Sequence, residues 1–328
     1  MHEEETNPLR SINKLQDSAL IVAARNGDLD RVKRFASVLT TKRNCLPSDV
    51  GHFLAGHCNK HGKTLLHEAA YGGHMDLVDY CLTELSMPAD CLKQGDWTPL
   101  MLAAVNKHDH ETAVQIVQRL VTVGADLKRR NKDGWSALQL ACRVNNAQLV
   151  AYLITVDPES VHARSNNGRT PLHTAAMYGS VSCVRALTAL VPADVQDSCG
   201  TTPFMDACRH GQAHSARILL QSHACDIRHR DAVGREPLHA TAEAGKLDVL
   251  VYLVDELNVP LDTVDSRSRM NVAHFAASEG HLHILKMLAE RNRLDLLTAS
   301  AAHNRAPLDL ALMKRHNACA DFLAGFRS

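Results

Sequence analysis

Four cations lie within five positions of the stretch LKRRNKDGW: Lys128, Arg129, Arg130 and Lys132, with Trp135 following and Arg143 further on. Guanidinium and ammonium groups beside an indole suit an acidic protein partner, because aromatic anchors concentrate binding energy and opposite charge sets orientation. A charge run alone is more often a solvated face; the neighbouring tryptophan shifts the balance toward binding. Trp97 stands in a matching place, with Lys93 before it. A second basic stretch, DIRHRDAVGR, holds Arg228, Arg230 and Arg235.

Other side chains invite chemistry less strongly. His52, His57, Cys58 and His61 could supply three imidazoles and a thiol to zinc, but their spacing fits no familiar ligand pattern, and solvated histidines are expected. His67, His173, His239 and His274 occupy one slot of a recurring block. They could be acid–base groups; hydrogen bonds to the backbone of a neighbouring repeat are the expected role. There is no glycine-rich phosphate loop, nucleophile elbow or HExxH, so no enzymatic activity, metal or cofactor is expected.

The elements that position these residues follow from the recurring block. RTPLHTAAMYG (Arg169 to Gly179) reappears as KTLLHEAAYGG, WTPLMLAAVNK, WSALQLACRVN, TTPFMDACRHG, EPLHATAEAG and NVAHFAASEG, with looser copies SALIVAARNG and APLDLALMKR at the flanks. Its apolar anchors are Leu20, Leu66, Leu100, Leu138, Leu172, Phe204, Leu238, Ala273 and Leu308, spaced 32 to 38 residues apart after the first gap. Thr98-Pro99, Thr170-Pro171 and Thr202-Pro203 each read as a helix cap followed by a preset first turn. The pattern resembles the ankyrin repeat, two antiparallel helices and a β-turn finger. The expected fold is therefore all-α, an ankyrin-repeat solenoid of about nine repeats.

Residues 1–16 read as a disordered lead and 17–35 as an N-terminal cap repeat. Residues 36–60 break the period as a degenerate repeat or insertion, with a helical turn expected over Asp49 to Leu54. Interior repeats fill 61–300, and 301–328 form the C-terminal cap. A single solenoid can reach this length because each repeat packs only on its neighbours. Trp97 and Trp135 are expected on the finger-to-helix edge facing the concave surface, where packing on fingers and binding a partner can hold together.

Thirty-six basic and 36 acidic residues give zero formal net charge, which argues against bulk attachment to nucleic acid or membrane. The ten cysteines form no CxxC pair, and Cys142 and Cys208 fill alanine slots, as expected of a reduced compartment. The acidic start is no signal peptide, and no apolar run reaches the roughly 20 residues of a membrane span. A monomer of the cytoplasm is expected, with nothing barring the nucleus.

The blocks ADCLKQGDWTPLM, KDGWSALQLACR, GRTPLHTAAMYG and DSCGTTPFMDA are similar to the ankyrin repeat domain-containing protein 16 family, from about Lys63 onward. That resemblance implies a co-regulator that binds the catalytic domain of alanyl-tRNA synthetase and accepts misactivated serine on its own lysines. A pocket for alanine rejects a hydroxylated analogue poorly, hence the need for a further sieve. Of three acceptor positions in the family, Lys132 aligns as lysine, Gln94 takes the first with Lys93 just before it, and His162 takes the third. Lys132 is the leading acceptor and Lys93 the second, and both are expected along one row of finger tips. Trp97, Trp135, Lys128, Arg129, Arg130 and Arg143 are the expected partner surface. A generic ankyrin scaffold with an unrelated partner is the alternative.

Overall fold

A computed structural model describes residues 14–106, 109–222 and 225–326. It contains twenty α-helices and, among the described residues, no strand beyond one isolated antiparallel bridge between Lys93 and Trp97. The chain divides into two compact units, Met1–Ser160 and Val161–Ser328.

In the first unit, α1 (Lys14–Arg25) pairs with α2 (Leu29–Arg43), and a single helix α3 (Pro47–Ala55) follows. Three further pairs come next: α4 (Leu65–Gly72) with α5 (Met75–Thr83), α6 (Pro99–Ala104) with α7 (His110–Thr122), and α8 (Ala137–Arg143) with α9 (Ala147–Val156). The first helix of each pair packs on the next, α1 on α4, α4 on α6 and α6 on α8. Thus α1 meets α4 directly, and the irregular segment adds one helix between two repeats. The helix expected over Asp49 to Leu54 is α3; Pro47 opens it and the Asp49 carboxylate accepts the Leu46 N–H at 2.9 Å. Of the expected lead, residues 1–13 lie outside the described residues, and 14–16 already belong to α1.

The second unit repeats the plan. Its pairs are α10 (Pro171–Tyr178) with α11 (Val181–Thr188), α12 (Pro203–Arg209) with α13 (Ala213–Gln221), and α14 (Pro237–Glu243) with α15 (Leu247–Val251). α15 runs on as a π turn over Tyr252–Glu256. Then come α16 (Val272–Ser278) with α17 (Leu282–Glu290), the single short α18 (Leu294–Thr298), and α19 (Pro307–Met313) with α20 (Asn317–Ala324).

Why these helices begin where they do is local chemistry. The Thr98 and Thr202 hydroxyls accept the Met101 and Met205 N–H groups, and Ser136 does the same for Gln139. Each satisfies a donor that a helix start leaves without an intrahelical partner. The repeat histidines cap and tie at once. His67 Nδ1 accepts the Thr64 N–H at 3.2 Å, so its Nε2 carries the proton and donates to the Trp97 carbonyl at 3.0 Å. His173, His239 and His274 make the same second bond to the carbonyls of Thr201, Thr263 and Arg305. All four are structural, as expected from their slot. The small residues after them are sealed in the core: Ala69, Ala70, Ala103, Ala104, Ala141 and Cys142 are wholly buried. All ten cysteines are free thiols.

Candidate protein-interaction site

Most fingers are tight turns closed by two backbone groups four residues apart, and the finger from Asp265 to Met270 takes five. The N–H of an anchor residue donates to the carbonyl of the residue before the next helix cap: Lys93 to Trp97 at 3.0 Å, Asn131 to Trp135 at 3.1 Å, Ser165 to Arg169 at 2.9 Å, Asp197 to Thr201 and Asp231 to Arg235 at 3.0 Å. Most anchors also use a side-chain oxygen to gather N–H groups inside the turn. Asn59 takes those of His61 and Lys63, Asn131 those of Asp133 and Trp135, and Asp197 those of Cys199 and Thr201. Asp231 and Asp265 do likewise, and Ser165 takes one. Such Asx-type bonds are why turns favour these residues.

Lys93 departs from this pattern, as Ala301 does, since neither an ammonium nor a methyl group accepts a hydrogen bond. Places where a sequence departs from its own local pattern are where function is to be sought. The register also corrects one expectation. Lys93 aligns with Asn131 at the base of the finger, while Lys132 aligns with Gln94 near the tip, so the two lysines do not share a row. Neighbouring tips touch through the backbone: the Lys132 N–H donates to the Gly95 carbonyl at 2.9 Å.

At its base position Lys93 is half-buried, and its ammonium lies 4.8 Å from the centre of the Trp97 ring. Burial, followed by repulsion from Lys63, holds its pKa below the usual lysine value, with Glu68 opposing. Lys63 sits 4.1 Å from the centre of the Tyr71 ring and reaches the Glu68 carboxylate at 3.4 Å. Glu68 is fully buried and also binds Arg25 at 3.0 Å and Asn59 at 2.8 Å. Replacing Lys93 by Asn restores the missing acceptor. Lys93→Asn is expected to stabilise the first unit by about 1 kcal/mol, the worth of one turn hydrogen bond. A lowered thermal midpoint would show instead that the lysine holds the finger together.

Beside these groups opens a surface groove of about 540 Å³ lined by Arg25, Tyr71, Trp97, Asn106, Asp109 and Arg143, among others. The guanidinium of Arg143 lies 5.9 Å from the centre of the Trp135 ring, within cation–π range. Lys128, Arg129, Arg130 and Lys132 are exposed on their finger, and Arg129 approaches Asp126 at 3.8 Å. Trp97 and Trp135 are both partly exposed. Thus Trp97 and Arg143 line the groove with Lys93 over the Trp97 ring, while Lys132 and its neighbours mark the adjoining finger.

Arg25 and Tyr71 in the groove, and Lys63 over the Tyr71 ring, escaped the sequence reading. Their signal was present in the slots. Lys63 precedes its cap as Trp97 and Trp135 do, and Arg25, Tyr71 and Arg143 each follow the small pair that ends the block.

The second basic stretch is internally compensated. Arg228 and Arg230 both bind the buried carboxylate of Glu236, and Arg235 binds Asp231 and Glu243. His52 and His57 turn back onto the carbonyls of Ser48 and Phe53, and Cys58 and His61 are exposed. Among the described residues, no group of three or more His, Cys, Asp or Glu side chains is placed to hold a metal ion. No helix among them is long and apolar enough to cross a membrane.

The ankyrin-repeat family profile matches this sequence in three copies, over residues 20–116, 109–195 and 186–265. The chain belongs to the ankyrin-repeat family. Ankyrin-repeat relatives include human neurogenic locus notch homolog protein 1, 26% identical over 204 residues that make up 55% of this chain and 8% of that protein. The E3 ubiquitin-protein ligase XBAT33 of Arabidopsis thaliana is 31% identical over 177 residues, 53% of this chain and 32% of its own. Human transient receptor potential cation channel subfamily A member 1 is 26% identical over 205 residues, 60% of this chain and 18% of its own. The chain spans a third or less of these relatives' lengths, and the similarity lies in the ankyrin repeats. Ankyrin repeats of this kind form a protein-interaction scaffold.

Proposed function

We propose that this scaffold binds the catalytic domain of alanyl-tRNA synthetase, in the cytoplasm or nucleus, and accepts misactivated serine on lysine. The observation that supports capture best is Lys93, a half-buried lysine with a depressed pKa set where other fingers carry Asn, Asp, Ser or, in the last, Ala. A free lysine, with pKa about 10.4, is less than a thousandth neutral at pH 7, so lowering that value raises the reactive fraction. The neutral amine attacks the carbonyl carbon of seryl-adenylate. A C–N amide bond forms, the acyl–phosphate C–O bond breaks, AMP leaves, and the amine's proton passes to solvent. Docking beside the adenylate supplies the effective concentration. Lys132, exposed near the tip of the next finger, is the second acceptor.

Incubating the protein with its organism's alanyl-tRNA synthetase, ATP and serine is expected to place serine-sized mass additions on peptides containing Lys93 and Lys132. Trp97→Ala with Trp135→Ala is expected to weaken the complex about tenfold or more while leaving the helical content intact. Binding without adducts removes the capture step. Absence of binding favours the second reading, a scaffold for an unrelated protein, consistent with similarity confined to ankyrin repeats.

A further inference from the structure

We infer that the groove between Arg25 and Arg143 takes an acidic segment of a partner protein, carboxylate side chains flanking an apolar one. The inference rests on the scaffold reading and is independent of which protein supplies the segment.

Charge carries the argument. Arg25 and Arg143 line the groove, and Lys63 and Lys93 lie over the Tyr71 and Trp97 rings that form its walls. Among the described residues, Glu68 and Asp109 are acids set against these cations, and both are engaged. Glu68 is buried beneath Arg25, Lys63 and Asn59. Asp109 caps α7, accepting the Thr112 N–H at 3.0 Å. Counting the lysines over its aromatic walls, the groove and its rim carry more positive than negative charge among the described residues, in a chain whose formal net charge is zero.

The walls suit a protein segment. Tyr71 is 47% exposed, and Trp97 presents part of its indole, so an apolar side chain has aromatic surface to cover. Cations held over rings are partly desolvated and restricted before any partner arrives, which lowers the cost of ordering them on binding. Gly72 and Gly73 leave the adjoining wall without side chains; Gly73, at φ +78°, closes α4 in a left-handed conformation. A pocket of side-chain size differs from the long electropositive track that follows a nucleic-acid backbone. Arg clusters reading acidic motifs are a recurring mode of peptide recognition.

The test uses the full chain carrying Trp135→Phe, which leaves Trp97 as the sole indole and keeps a ring beside Arg143. The probe is a blocked peptide, Glu-Glu-Leu-Glu-Glu, compared with Gln-Gln-Leu-Gln-Gln and with oligouridylate. The Glu peptide is expected to change Trp97 fluorescence saturably. Its affinity should fall about tenfold between roughly 50 and 500 mM salt, as screening shortens the reach of the cations. Arg143→Glu, checked by circular dichroism for unchanged helicity, is expected to weaken it by at least about fivefold.

Equal responses to the Glu and Gln peptides, no saturable response, or indifference to Arg143→Glu would each overturn the inference. So would tighter binding of oligouridylate than of the Glu peptide. The peptide and oligouridylate arms on the Trp135→Phe chain need no folding assumption about the Arg143 variant. Loss of synthetase binding with the peptide response intact overturns only the synthetase proposal. A missing peptide response overturns the groove, whatever the synthetase does.

Discussion

Between pH 6.5 and 4 the first unit is expected to lose about 3 kcal/mol of folding stability, carried by His67. Its pKa is lowered to about 4, first by burial and also by Lys93 and Lys63, against the raising effect of its bond to the Trp97 carbonyl. An unfolded histidine titrates near 6.5, so in this window the unfolded chain binds a proton that the folded chain does not. Stability therefore rises with pH through the window, is fully present above 6.5, and levels off below 4. Each pKa unit contributes about 1.4 kcal/mol.

Met205 fills the same slot in its own repeat, so His67→Met is a substitution the architecture already accommodates. Hydrogen exchange of the α4 and α6 amides should show a steep acid profile in wild type and a flattened one in His67→Met. Identical profiles would remove His67 as the cause. The second unit should respond less simply. His173, with pKa also near 4, pulls the same way, while buried Asp206, raised by desolvation to about 7, pulls the other. A carboxyl raised in the folded state contributes stability below 3.8 that is lost as pH climbs toward 7. His239 and His274, both lowered by burial, side with His173.

Gly51→Ala is expected to cost the first unit about 2–3 kcal/mol, the upper range for forcing an extra methyl into a packed site. A Cβ at Gly51 would stand 1.7 Å from the Leu85 carbonyl oxygen, and that obstacle is backbone, unable to swing aside. The missing side chain is what lets α3 lie against the end of the α5 repeat. Gly56→Ala is the control, since its Cβ would meet only the Phe53 carbonyl at 3.4 Å. Denaturant midpoints should separate the two variants clearly. Equal, small effects would mean that α3 can move away at little cost, and that its packing contributes little.

What was legible in the sequence was chemistry confined to a few neighbouring positions. Thr98-Pro99 or Thr170-Pro171 fixes a helix start within one turn, and the histidine three residues after the cap declares its own partner. The ankyrin family and the stacking of first helices follow from that. The finger register was less legible, because it depends on which backbone pair closes the turn. Counting back from the tryptophans made Lys93 and Lys132 look equivalent, though one lies four residues before its tryptophan and the other three. Compensation was missed for a similar reason: Arg228 and Arg230 look like a free basic patch until Glu236 folds under them. The groove draws Arg25, Tyr71 and Arg143 from three separate repeats, and only stacking brings their slots together.

The histidine bond to the following repeat has a consequence for how such a chain can change length over generations. His67, His173 and His274 each donate to the carbonyl just before the next helix cap, whatever its side chain: Trp97, Thr201 and Arg305 serve equally. A duplication or loss of one whole repeat inside a unit presents the imidazole with a fresh carbonyl in the same place. A cut through the middle of a repeat strands a buried N–H instead, at a cost of about 1–3 kcal/mol. Inheritance in this architecture is thus expected to proceed by complete repeats.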